Sequence, residues 1–270
     1  MAKRRCGPDH PCGGGMQNGL FNPFFGLGSA IPSDTTADGR QAVLVIGDSI
    51  AAGLTGHTAS TLPTAGTAFE YDRNTNTIIN FGSGAGVSGF SFNSKSPWAK
   101  FCIDYNAITG YKPVIINRAA SSSTISPATI TLIGNDWQTS GTNYNDAVAK
   151  AHDCLTQLGL SKLKYILVSL GINDVQGQSG TGSDTVAQVG TYLGTLISNL
   201  TAEFGSDVPI VFAQLGKTSS IVVAARLTGI RNQIKQQCVS NENCYIGSNL
   251  GAFAVGGFYE ADGIHPNVTG

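Results

Sequence analysis

The sequence predicts an α/β protein: a three-layer α/β/α sandwich around a central parallel sheet of about five strands. Three observations carry this. Short, continuous apolar runs recur along the chain, each stopped by Gly, Asn or Gln, as expected of parallel strands buried on both faces. Between them lie stretches whose apolar residues fall three and four apart, the period of a helix packed along one side. The two kinds of segment alternate, which implies βαβ units with helices on both faces of one sheet.

Taken in order, residues 1–39 are rich in Gly, Pro, Asn and Asp and read as an irregular arm. Its apolar patch, with Phe21, Phe24 and Phe25, is expected to dock on the main domain or on a partner. The domain proper spans 40–270. The first strand is Ala42-Val43-Leu44-Val45-Ile46, ended by Gly47. A Gly/Ser/Thr/Asn-rich insertion at about 57–113 follows, with short alternating pieces such as Asn76 to Phe81, and reads as a β-hairpin plus loops near the carboxyl ends of the strands. The second strand is Val114-Ile115-Ile116, the third Tyr165 to Leu170, the fourth Pro209 to Ala213, and a short fifth is Cys244-Tyr245-Ile246. Helices are expected over Tyr144–Leu158, over Asp184–Phe204 with Ser183 or Asp184 as N-cap, and over Ser219–Gln237.

Composition narrows the function classes. Charged residues are 12% of the 270, about half the usual share, and the net charge is −1. No basic field is available to hold a polyanion, so nucleic acid is not the expected partner. No apolar run is long enough to span a bilayer. Lys3-Arg4-Arg5 is followed by Gly13-Gly14-Gly15 rather than an apolar segment, so no secretory signal is read. A surface built from Gly, Ser, Thr and Asn favours a secreted or virion-associated setting over a cytoplasmic one, with residues 1–39 as the attachment to a phage or other larger assembly. Six cysteines are present. A local Cys238–Cys244 disulfide is geometrically feasible, and free thiols in a reducing compartment are the alternative. Cys6, His10 and Cys12 lack a fourth ligand, so no metal is expected there. No dinucleotide fingerprint or phosphate-binding loop is found, and no cofactor is called for.

Three motifs carry chemistry: Gly47-Asp48-Ser49-Ile50 after the first strand, Gly171-Ile172-Asn173-Asp174 after the third, and Asp262-Gly263-Ile264-His265-Pro266-Asn267 near the end. Taken singly these are a turn, a helix cap and surface decoration. Taken together they fit acyl transfer. Ser49 follows a buried strand that would hold its hydroxyl at the sheet's edge. Asp262 and His265, on one loop, can pair so that the carboxylate holds one ring nitrogen and the other faces the serine. The Asn173 amide can aim at an oxyanion, and Asp174 is expected to cap the following turn and orient Asn173.

This set resembles the SGNH (GDSL-like) hydrolase family, through Val45 to Ile50, Gly171 to Asp174 and Asp262 to Pro266. The resemblance covers 41–270 at the level of motifs. It implies a flavodoxin-like fold and a serine esterase with Ser49, Asp262 and His265 as catalytic residues. The oxyanion donors it implies are the Ser49 backbone N–H, a second-block backbone N–H and Asn173. The second block departs from the pattern: Asn117-Arg118-Ala119-Ala120-Ser121-Ser122-Ser123-Thr124 has Ser122 where the family has glycine. Either Ser122 supplies that N–H, which a glycine-type φ > 0 would strain, or Gly82, Gly84 or Gly86 does. The family includes carbohydrate acetylesterases, so an acetylated glycan is the expected substrate. A lipase or thioesterase, a catalytically inactive glycan-binding module and a cytosolic housekeeping esterase are the alternatives. Trp98, Trp137, Tyr105 and Tyr144 are candidate sugar platforms, with core packing as the other reading.

Overall fold

A computed structural model of the chain describes residues 34–52, 61–83, 97–127, 136–176, 184–215 and 224–249. Seven strands form one sheet: β1 (Arg40–Gly47), β2 (Phe69–Tyr71), β3 (Ile78–Asn80), β4 (Lys112–Asn117), β5 (Tyr165–Ser169), β6 (Ile210–Gln214) and β7 (Cys244–Asn249). Five described helices accompany them: α1 (Pro97–Thr109), α2 (Thr142–Leu158), α3 (Ile172–Gln176), α4 (Val186–Phe204) and α5 (Ala224–Ser240). The order across the sheet is β3-β2-β4-β1-β5-β6-β7. All neighbours are parallel except β2 and β3, an antiparallel hairpin.

The five expected strands are thus β1, β4, β5, β6 and β7. In chain order they lie 2-1-3-4-5 across the sheet, the flavodoxin-like order whose switch point falls between the first and third strands. The count of about five needs correcting to seven. The hairpin in the insertion does not stand apart from the sheet but extends it, with β2 running parallel to β4 (Phe69 opposite Val114, Glu70 opposite Ile115). The insertion also contains α1, which was expected to be loop.

Strand β1 shows why the apolar runs are continuous. From Gln41 to Gly47 every residue is buried. Ala42, Leu44 and Ile46 face a core shared with α2, α4 and α5, while Val43 and Val45 face a second core with Ala99 and Cys102 of α1. Each fully buried aliphatic side chain contributes roughly 1.5–3 kcal/mol to that burial. Helix α2 ends at Gly159, whose φ of 66° lets its N–H reach the carbonyls of Leu155 and Thr156.

One local expectation is corrected. The N-cap of α4 is Thr185, in a capping box with Gln188; Asp184 is instead buried and accepts from the Ser126 hydroxyl. Of the two readings open for Cys238 and Cys244, the structure has the free thiols: the first sits on α5 and the second opens β7. Residues 1–33, with Cys6 and Cys12, lie outside the described residues. No described helix is long and apolar enough to cross a membrane.

Candidate active site

The site begins where β1 ends. At Gly47 the chain passes so close to β5 that a Cβ would lie 2.4 Å from the Ser169 carbonyl oxygen and 2.4 Å from the Ala51 Cβ. The Asp48 N–H then donates to the same Ser169 carbonyl (3.0 Å). The chain turns at once: Ala52 N–H donates to Asp48 O (2.9 Å), and Ile50 N–H to Asp48 Oδ1 (3.0 Å). Ser49, nearly buried, sits in this turn. The Ala51 carbonyl receives the Trp98 indole N–H (2.7 Å) from α1 and the Asn117 amide (3.0 Å) from the end of β4. Two rigid elements therefore fix the turn that carries the hydroxyl.

The second loop leaves β4 beside it. Asn117 Oδ1 accepts from Ala119 N–H, and Ala120 N–H donates to the Gly47 carbonyl (2.9 Å). The buried Ser123 hydroxyl donates to that same carbonyl (3.0 Å) and accepts from the Trp137 indole N–H (2.9 Å). Between these anchors stands Ser122 at φ 58°. The left-handed conformation that the family's glycine would allow is taken up here by a serine. Its side chain is exposed, so Cβ meets no packing obstacle.

The third strand completes the edge. Gly171 has φ 113° and leads into α3. The Asn173 amide donates to the Ser123 carbonyl (2.8 Å), which joins α3 to the second loop; its second amide hydrogen remains for another acceptor. Asp174 does not cap its own turn as expected. Its carboxylate reaches across and takes the backbone N–H groups of Ile125 (2.9 Å) and Ser126 (3.0 Å), pinning the far end of that loop. Arg226 of α5 donates to the Asp174 carbonyl (2.8 Å). Ser49, Ser122 and Asn173 thus follow the carboxyl ends of three adjacent strands, at the switch point where open α/β sheets bind ligands.

No family model and no curated protein sequence matches the chain. Among solved structures it is similar to a protein from Arabidopsis thaliana (TM-score 0.59, 13% identity, covering 85% of this chain and 92% of that one). It is similar also to NanS (0.57, 12%, 82% and 81%). A third neighbour is a variant of Axe2, an acetyl xylan esterase from Geobacillus stearothermophilus (0.50, 15%, 88% and 90%). The fold is that of the SGNH hydrolases.

Of the residues the SGNH resemblance singles out, Ser49, Ser122 and Asn173 come together on one edge; Asp262 and His265 lie outside the described residues, as do Gly84 and Gly86. Gly82 is not a candidate donor. It follows β3, which runs antiparallel to β2 with Asn80 opposite Phe69, so it lies towards the amino ends of the strands, away from Ser49. Trp137, Tyr105 and Tyr144 are buried and serve the core, and Trp98 packs half-buried behind the turn that carries Ser49. His152 is exposed and pairs with Glu203 (2.6 Å). Among the described residues no cluster of His, Cys, Asp and Glu could hold a metal.

Two buried carboxyls lie within the candidate site, and the motifs alone do not show them as ligands of the loops. Burial pushes Asp48 up from the ordinary 3.8 to about 7, with the Ile50 N–H pulling down and the charge of Asp174 adding to the rise. Burial raises Asp174 to about 6, held back by the Ile125 and Ser126 N–H groups and by Arg226. An acidic residue at the end of a wholly apolar strand was the sequence signal for the first of them.

Proposed function

We propose that this chain is a serine esterase that hydrolyses a carboxylic ester through an acyl-enzyme, and that its substrate is an O-acetylated carbohydrate. Ser49 is the nucleophile, His265 its base and Asp262 the carboxylate that orients the imidazole. The N–H groups of Ser49 and Ser122 and the Asn173 amide receive the oxyanion. The observation that carries this reading is the left-handed Ser122, flanked by Ala120 and Ser123, which both donate to the Gly47 carbonyl ahead of Ser49, with the Ser123 carbonyl bridged to α3 by Asn173. A φ of 58° at Ser122 supports that role.

In the proposed reaction His265 takes the Ser49 proton as the hydroxyl oxygen attacks the ester carbonyl. The tetrahedral oxyanion gathers three donors, each worth about 3–4 kcal/mol of barrier where such a donor has been removed from a serine hydrolase. Collapse expels the alcohol, which takes the proton from His265. Water, activated by the same imidazole, then releases the acid and restores Ser49. The sequence asks for no metal or cofactor in this cycle.

Support for a hydroxylated substrate comes from the rim. Ser121 and Ser122 beside the nucleophile turn, and Asn74 and Thr75 on the β2–β3 turn at the same edge, are partly or fully exposed. The acetyl xylan esterase among the structural neighbours agrees with a short acyl group. Hydrolysis of p-nitrophenyl acetate that disappears in Ser49→Ala is the expected result. A parent chain with no esterase activity on any ester would favour the glycan-binding alternative. Faster turnover of the octanoate than of the acetate would favour a lipase.

A further inference from the structure

The two buried carboxyls differ in how they are satisfied. Asp174 has both oxygens occupied by backbone N–H groups and has Arg226 behind it. Asp48 has one oxygen on the Ile50 N–H, while its Oδ2 is sealed from water and meets no hydrogen-bond partner among the described residues. Asp48 and Asp174 are both 0% exposed, and the charge of Asp174 disfavours ionisation of Asp48. Of the two, Asp48 has the buried oxygen that makes no hydrogen bond, and that one keeps its proton. That one lies immediately before Ser49.

We infer that Asp48, as the neutral acid, is the positioning residue that holds the nucleophile turn in its working shape. The inference rests on the esterase reading above. With its proton, Asp48 accepts from Ile50 N–H through Oδ1 and carries no charge towards Asp174. Ionised, it shares its charge with an oxygen that makes no hydrogen bond, in a spot water does not reach, against the charge of Asp174. The turn from Asp48 to Ala52 must then open to hydrate that charge, and the Ser49 hydroxyl moves with it. The turn that holds Asp48 is tied by uncharged groups, Trp98 of α1 and Asn117 at the end of β4, both on the Ala51 carbonyl; the charged groups are Asp174 of α3, which acts on Asp48, and Arg226 of α5, bonded to the Asp174 backbone. His265 and Asp262, placed at this site by the proposal, govern the acid limb of activity; Asp48 sets an alkaline one.

The test compares the parent chain, Asp48→Asn and Asp48→Ala. Asparagine reproduces the neutral acid, with an acceptor for Ile50 and no charge. With p-nitrophenyl acetate, kcat of the parent is expected to fall above about pH 7, approaching tenfold per pH unit. Asp48→Asn should hold kcat within about twofold up to pH 9, and Asp48→Ala should be impaired at every pH. Independently of activity, carbon-13 labelling of the aspartate carboxyls should show a resonance that titrates near neutrality and is missing from Asp48→Asn. An Asp48 resonance titrating near 4, or an alkaline limb retained by Asp48→Asn, overturns the inference. A parent chain without hydrolysis at any pH overturns the esterase reading and the positioning role with it, while the carbon-13 titration still decides whether Asp48 holds its proton.

Discussion

Substituting Ser122 by glycine should make the protein more stable and leave it active. Ser122 stands at φ 58° with its side chain exposed. For a residue with a Cβ this conformation costs roughly 1–2 kcal/mol, and glycine removes that cost. Glycine also gains entropy in the unfolded chain, worth about 0.5–1 kcal/mol in the opposite direction. The balance is a gain of about 0.5–1 kcal/mol. In a chain of 270 residues that corresponds to a rise in Tm of about 1–3 °C. Because the N–H direction is set by the backbone, kcat/KM on p-nitrophenyl acetate should stay within about twofold. Ser122→Val is the opposite perturbation: a β-branched side chain resists φ > 0, so the loop should leave that conformation and kcat should drop tenfold or more as one donor swings away. Thermal melts and steady-state kinetics on the three proteins are sufficient. A less stable Ser122→Gly, or a Ser122→Val with unchanged kcat, would refute the idea that backbone shape is what this position supplies.

Other consequences are as direct. Gly47→Ala puts a methyl 2.4 Å from both the Ser169 oxygen and the Ala51 Cβ, so it should destabilise by about 3 kcal/mol or more and remove activity, as read by urea unfolding and ester hydrolysis. Asp174→Asn offers one acceptor to two buried N–H groups, so it should cost about 1–3 kcal/mol and lower kcat with little change in KM. Stability should also depend on pH. Asp48 binds its proton at about 7 when folded and at the ordinary 3.8 when unfolded, so the folded chain holds the extra proton between those values and loses stability as pH rises across them. The full effect is on the order of 4 kcal/mol. Urea midpoints should fall from pH 5 to pH 8 in the parent and fall less in Asp48→Asn, with Asp174 accounting for part of the remainder; equal slopes in the two proteins would contradict this.

Much of the architecture was legible because parallel strands buried on both faces leave unbroken apolar runs. Ala42 to Ile46, Tyr165 to Leu170 and Pro209 to Ala213 could be read as strands for that reason, and their order with intervening helices led to the doubly wound sheet. The alternating piece Asn76 to Phe81 pointed to a hairpin, but strands of three residues carry no signal that β2 would pair with β4 and extend the sheet. Helix α1 left a signal that went unused: Trp98, Phe101, Cys102 and Tyr105 repeat at helical spacing, but the Gly- and Ser-rich stretch before them masked it. Thr185 rather than Asp184 caps α4 because Asp184 is needed by Ser126, a partner 58 residues away. The same holds within the site. Ser49, Ser122 and Asn173 could be named from motifs, since each is local to a strand end. The loop-pinning role of Asp174 and the Ser123–Trp137 link could not, because they exist only once distant loops meet.

The most direct test of the account is to treat the parent chain with a fluorophosphonate and map the adduct by peptide mass. The account predicts a single adduct on the peptide carrying Ser49, formed faster at neutral than at acid pH and absent from Ser49→Ala and His265→Ala. Labelling at a different serine, or an ester-hydrolysing protein that leaves Ser49 unmodified, would contradict it.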